Sequence, residues 1–250
     1  MAAGLHISIS AEPVFQLGPI SISNSILTSL IVSALLILFA LCVKLNLKKT
    51  NKPTGLQNVA EWIIESLYGL VKGVAISPKK ISQFFPFVAT FFLFILCNNY
   101  FGLLPGVGTI GFLEEPHATF VPYLRAGTAD LNTTLALALL SMLAVQIFGI
   151  SHLKLGYFKK FFNFTNPINF YVGLLELISE FAKVISFAFR LFGNIFAGEV
   201  LLAVIGFLVP VIAPMPFYGL ELFVGFIQAL VFSMLSLVFF NMATIGHDEH

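Results

Sequence analysis

Five stretches of this chain are too long and too apolar to fold in water. They lie at residues 26–43, 84–104, 131–150, 168–209 and 217–245. The first is eighteen residues without a charge. Such a run spans lipid as a helix, because about 20 apolar residues cross the roughly 30 Å hydrocarbon layer. Composition agrees. Apolar residues make up 58% of the chain and charged residues 10%, where a soluble domain carries about 25% charged residues. A soluble globular protein, a disordered chain and a nucleic-acid binder are excluded. Cys42 and Cys97 both fall inside apolar runs, which predicts buried, inert thiols rather than a disulfide or metal pair.

Residues 1–25 contain no Lys or Arg, and lysines rather than a small-residue cleavage site follow the first run. That predicts a retained span, not a signal peptide. Residues 54–77 differ from the spans. Thr54 and Gln57 form a capping box, and Leu56, Val59, Ile63, Leu67, Leu70 and Val74 recur at spacings of three and four. Polar residues fill the gaps, so this is an amphipathic helix on the membrane surface. Pro86 falls in the first turn of the second span, where a missing N–H costs little. Pro210, Pro214 and Pro216 separate the fourth and fifth runs. The expected architecture is one all-α, polytopic membrane domain over residues 1–250. It has five crossings and one interfacial helix, with the last two spans forming a long hairpin. No internal repeat is present.

Basic residues set an orientation. Segment 44–80 holds seven Lys and 151–160 holds three, while Arg125 is the only cation in 1–25, 105–130 and 210–216 together. The positive-inside rule then puts the N-terminus outside and the C-terminus in the cytoplasm. The five histidines, His6, His117, His152, His247 and His250, fall in loops, tails or at the membrane interface.

The fourth run carries Glu176, Glu180, Lys183, Arg190 and Glu199, and the fifth carries Glu221 and Gln228. A charge at the bilayer centre costs about 2.5–3.5 kcal/mol or more. The first three runs carry none, so the cost is concentrated in one hairpin. At about 100° per residue, Glu176, Lys183 and Arg190 share a face, with Ser186 and Asn194 on the same stripe. Glu199 points to the opposite face, about 13 Å along the axis. An antiparallel turn near Pro210 sets Arg190 level with Gln228, and Glu199 level with Glu221. Two paired carboxylates then lie near one surface, a permanent cation in the middle, and Glu176 and Glu180 near the other. Glutamates side by side in low dielectric share a proton, whereas arginine stays charged. Glu176, Glu180 and Lys183 are equally open to a plain reading as i,i+3 and i,i+4 pairs at the interface.

The stretch 190–199, RLFGNIFAGE, resembles the signature of the subunit a family of F-type ATP synthases, and 221–232, ELFVGFIQALVF, resembles its terminal helix. Residues 53–65 (PTGLQNVAEWIIE), 99–105 (NYFGLLP) and 128–132 (TADLN) extend the resemblance along the chain in order. The resemblance implies the stationary half of a rotary ion motor, packed against a ring of c subunits and held by peripheral-stalk b subunits. Arg190 matches the essential arginine between two offset half-channels. Asn194, Gln228 and Ser186 match its polar neighbours, Glu199, Glu221 and Asn132 the outer route, and Glu176 the inner exit. Many bacterial members carry His at the position of Glu221. The family's two long helices lie strongly tilted. That would accommodate the fourth run, which at about 63 Å is twice the layer's thickness. A bacterial plasma membrane is expected. No GxxxxGK(S/T) phosphate loop and no cofactor motif occurs, so ATP chemistry belongs to partner subunits. The alternative, an ion-coupled secondary transporter, calls for repeats that this chain lacks.

Overall fold

A computed structural model describes residues 8–18, 20–47, 55–74, 78–114, 119–154, 156–159, 161, 166–210 and 212–245. The proposed cap Thr54, the end of the amphipathic segment at 75–77, and His6, His117, His247 and His250 lie outside the described residues. The helices are α1 (Asn24–Leu45), α2 (Leu56–Val74), α3 (Pro78–Gly102), α4 (Leu131–Leu153), the single turn α5 (Gly156–Lys159), α6 (Pro167–Leu208) and α7 (Pro214–Ala243). Five of them, α1, α3, α4, α6 and α7, are long and apolar enough to cross a membrane. The chain is an all-α, polytopic membrane protein. Two short antiparallel hairpins supplement the helices: β1 (Pro13–Leu17) with β2 (Ile20–Ser23), and β3 (Gly111–Glu114) with β4 (Thr119–Pro122). They stand in the segments expected to be loops. Pairing the backbone there satisfies N–H and C=O groups close to apolar surroundings.

The ends of the helices follow their sequences. Ser23 caps α1 by accepting from the Ile26 N–H at 3.4 Å, and Asp130 caps α4 by accepting from the Asn132 N–H at 3.1 Å. Prolines open α6 and α7 at their first turns. α6 is 42 residues long, about 63 Å. The second span starts earlier than expected. α3 begins at Pro78, so Pro86 is interior rather than in the first turn. The extra turns are held because Ile81, Phe84 and Val88 are buried at spacings of three and four. Phe84 meets Phe148 at 4.9 Å and Phe240 at 5.5 Å between ring centroids, and that packing offsets the ladder bond lost at the proline.

Two apolar clusters form the core. Ile95, Ala138, Leu191, Ile195, Ala229 and Phe232 join α3, α4, α6 and α7 near mid-length. Phe84, Val88, Val145, Phe148, Leu237 and Phe240 fill the end away from the hairpins. Ser141 and Ser236 share a 2.7 Å hydrogen bond between α4 and α7. α2 packs on α3 through Ala60, Leu67 and Val71, while Leu56, Val59, Trp62 and Leu70 face outward. The apolar stripe read from its sequence is thus divided between the bundle and the surroundings. α1 buries only Asn24, Ser25, Thr28 and Val32. Cys42 and Cys97 are free and half-buried rather than fully buried.

A polar clamp ties the hairpin end together. Asn98 accepts from the Ser29 hydroxyl at 3.2 Å and donates to the Phe94 carbonyl at 2.9 Å. Asn99 donates to the Gly225 carbonyl at 2.9 Å and accepts from Thr128. Gly127 passes over the Ser29–Asn98 bond, and a Cβ there would overlap both side-chain oxygens. Gly127→Ala breaks that bond in a buried site and costs about 1–3 kcal/mol. The expected result is a lower heat-denaturation midpoint of the detergent-solubilised protein. Gly69→Ala, where a Cβ meets nothing, leaves the midpoint in place or raises it.

Candidate functional site

At the hairpin end, α3, α6, α7 and the segment after β4 enclose a cavity of about 570 Å³. Its polar lining includes Glu12, Asn24, Asn99, Arg125, Glu199 and Glu221. Glu199 and Glu221 therefore share one cavity, at the matching heights that the antiparallel register predicts. They do not form the expected carboxylate pair. Glu199 is engaged by Arg125, whose Nε donates to Oε1 at 3.0 Å and to Oε2 at 3.1 Å. Arg125 is 7% exposed, and a buried guanidinium that cannot lose its proton requires a countercharge. Glu221 is 6% exposed, and its Oε1 has no hydrogen-bond partner among the described residues. Its carboxyl lies against Gly198, where any side chain would overlap it.

Arg190 stands about 13 Å along α6 from Glu199. It is exposed, and with Phe187, Leu191, Gln228 and Phe232 it lines a small notch between α6 and α7. The pairing of Arg190 with Gln228 in height is thus met. Ser186, Gly193 and Asn194 are exposed on the same face, and Asn194 donates to the Arg190 carbonyl at 3.0 Å. A Cβ at Gly193 would meet nothing within 4 Å. The Arg190 side chain has no hydrogen bond or ion pair among the described residues, in the middle of a 42-residue apolar helix.

A second polar group lies at the other end, about 15 Å along α6 from Arg190. Lys183 Nζ donates to Glu180 Oε1 at 2.9 Å, so the i,i+3 pair forms, and Gln146 donates to Glu180 Oε2 at 3.2 Å. The Tyr157 hydroxyl donates to Gln146 Oε1 at 2.8 Å. Its ring packs on Gly149, where a Cβ would overlap it. Lys183 also lies over the Phe239 ring at 5.1 Å from the centroid, which turns it toward α7 and away from the exposed stripe of Arg190. Glu176 is half-buried near this group and adds negative potential at Tyr157. Asn132 is exposed at the start of α4, bonded to Asp130, and is not among the residues lining the cavity.

Four polar residues of these groups escaped the sequence reading: Arg125, Asn99, Gln146 and Tyr157. Arg125 did carry a signal, as the lone exception to the basic asymmetry of the loops. The others have none that periodicity reveals.

Residues 26–241 match the family of the ATP synthase A chain. The chain is 34% identical over 245 residues to ATP synthase subunit a of Gloeobacter violaceus, covering 98% of this chain and 93% of the relative.

Burial, then the charges of Glu180 and Glu176, pushes the Tyr157 phenol up from 10.0 to about 12. An unfolded chain releases that proton from pH 10.0 upward while the folded chain keeps it to about 12, so stability falls as pH rises through that window. In Tyr157→Phe this part of the alkaline loss disappears, as thermal midpoints measured between pH 9 and about 12 will register.

Proposed function

The chain belongs to the ATP synthase A chain family, as an ion-translocating, non-catalytic membrane subunit of the F-type enzyme, and from that premise we propose that Arg190 separates two half-channels. The cavity at Glu199 and Glu221 serves as the outer half-channel. The group of Glu176, Glu180, Gln146 and Tyr157 serves the inner one. The ion is H⁺ or Na⁺, and it passes between them on carboxylates carried by a ring of c subunits.

One observation carries the reading. Arg190 is a permanent cation on an exposed face, with no partner side chain among the described residues. A charge left so at mid-membrane is costly, and an anion supplied from outside the chain removes that cost. A ring carboxylate that arrives ionised is attracted, and it releases its ion because the guanidinium favours the charged form. Arginine cannot itself accept or pass a proton, so the same group blocks a direct path. Gly193 and Ser186 support a close helix contact, since small residues let backbones approach. Each elementary charge crossing about 100 mV yields about 2.3 kcal/mol, so synthesis needs several ions and a path without leak.

The rest of the placement belongs to the same proposal. α6 and α7 form a hairpin strongly tilted along the ring, which fits about 63 Å of helix into a layer of about 30 Å. α2 lies at the cytoplasmic interface, with Trp62 and its apolar neighbours toward lipid. The whole acts as one membrane domain in a bacterial plasma membrane, N-terminus outside and C-terminus inside, joined to b subunits of the stalk.

In vesicles holding the assembled complex, Arg190→Ala abolishes ATP-driven ion pumping, and passive leak rises in the same membranes. Unchanged coupled pumping would sink the gate reading. Orientation is checked separately in a Cys42→Ser, Cys97→Ser background. Thr109→Cys is expected to react with an impermeant maleimide from outside, and Ser151→Cys only from the cytoplasmic side.

A further inference from the structure

Arg125 is the most heavily engaged side chain of the cavity. Besides both oxygens of Glu199, its guanidinium donates to the main-chain carbonyl of Ser8 at 3.0 Å and to that of Ser10 at 3.4 Å. It also lies 5.7 Å from the centroid of the Phe196 ring. Its own N–H donates to the Thr28 hydroxyl at 3.3 Å. The residues before β1 and α6 thus converge on the guanidinium, and α1 holds the main chain of the same residue. The two glutamates of the cavity are consequently unlike. Glu199 is held by a bifurcated, charge-assisted bond, and taking up a proton there would leave a buried guanidinium uncompensated. Glu221 lines the same cavity, and its buried Oε1 has no hydrogen-bond partner among the described residues.

We propose that Arg125 is a positioning residue that fixes Glu199 as a compensated anchor and leaves Glu221 as the carboxylate that takes the ion from the cavity. The inference rests on the reading of this cavity as the outer half-channel. The other ionisable groups lining it are Glu12 from the segment before β1 and Tyr218 from α7. Neither is hydrogen-bonded to Glu221 among the described residues. The anchor role requires charge balance rather than a particular carboxylate, and this separates it from ion carriage by Glu199.

The test uses vesicles of the whole complex, with assembly scored by the amount of the chain retained beside the catalytic subunits. ATP-driven pumping is compared for Glu221→Gln, Arg125→Gln, Glu199→Gln and the double variant Arg125→Gln/Glu199→Gln. Glu221→Gln is expected to lose pumping by about tenfold or more, and each single variant at the ion pair by a similar factor, because each leaves one charge of the pair without its partner, the buried Arg125 or the half-exposed Glu199. The double variant, which strands none, is expected to pump at least about threefold faster than either single. A double variant no better than its parents, with Glu221→Gln inactive, overturns the anchor role and makes Glu199 a carrier, while the half-channel reading stands. Normal pumping by Glu221→Gln overturns the half-channel reading itself. Arg125→Lys guards against a failure to assemble, since it keeps the charge and loses the fork. It is expected to keep pumping within about threefold of the parent, and an assembled but inactive Arg125→Lys would also overturn the proposal.

Discussion

A charge inside an apolar bundle has to be paired, wetted or met by something from outside. The α6–α7 hairpin meets that requirement in a different way at each level. Glu199 is paired with Arg125, and Glu180 with Lys183 and Gln146. Glu221 is set on the wall of a cavity. Arg190 stands on an exposed face with no partner side chain among the described residues. The ends of the hairpin are satisfied from within the chain and its middle is not. That distribution, more than the presence of charges, supports the proposed meeting of the middle of α6 with an opposite charge.

The helices were legible because the spans are long apolar runs and α2 shows short-range periodicity. The 42-residue apolar run contains no Pro to break it, and α6 spans that length one residue earlier. The register argument also survived. It needed only an antiparallel turn at the prolines, and Arg190 with Gln228 and Glu199 with Glu221 each share a cavity. Pro86 was misplaced because burial of Ile81 and Phe84 depends on α4 and α7, which no local window contains. The two β-hairpins were missed because strands of four or five residues carry little alternation.

The site was half legible. Residues on the long helices could be placed by angle and height. Residues that reach the site from connections could not, because Arg125 arrives from the segment after β4 and Tyr157 from α5. Arg125 also changes what the two glutamates mean. Two carboxylates at one height suggested a shared proton. A cation from a loop removes that symmetry, and Gly198 gives Glu221 its own seat.

That seat also has a mechanical side. The Glu221 carboxyl rests on backbone at Gly198, so the two helices touch there through a stub of side chain against main chain. A Cβ at residue 198 would hold the two helices apart, so the missing side chain is what lets them close over the carboxyl. The Asn99–Gly225 hydrogen bond holds the same stretch of α7 against α3, so that stretch is braced from two neighbouring helices. The height of Glu221 is thus set by a glycine on one neighbouring helix and an asparagine on the other.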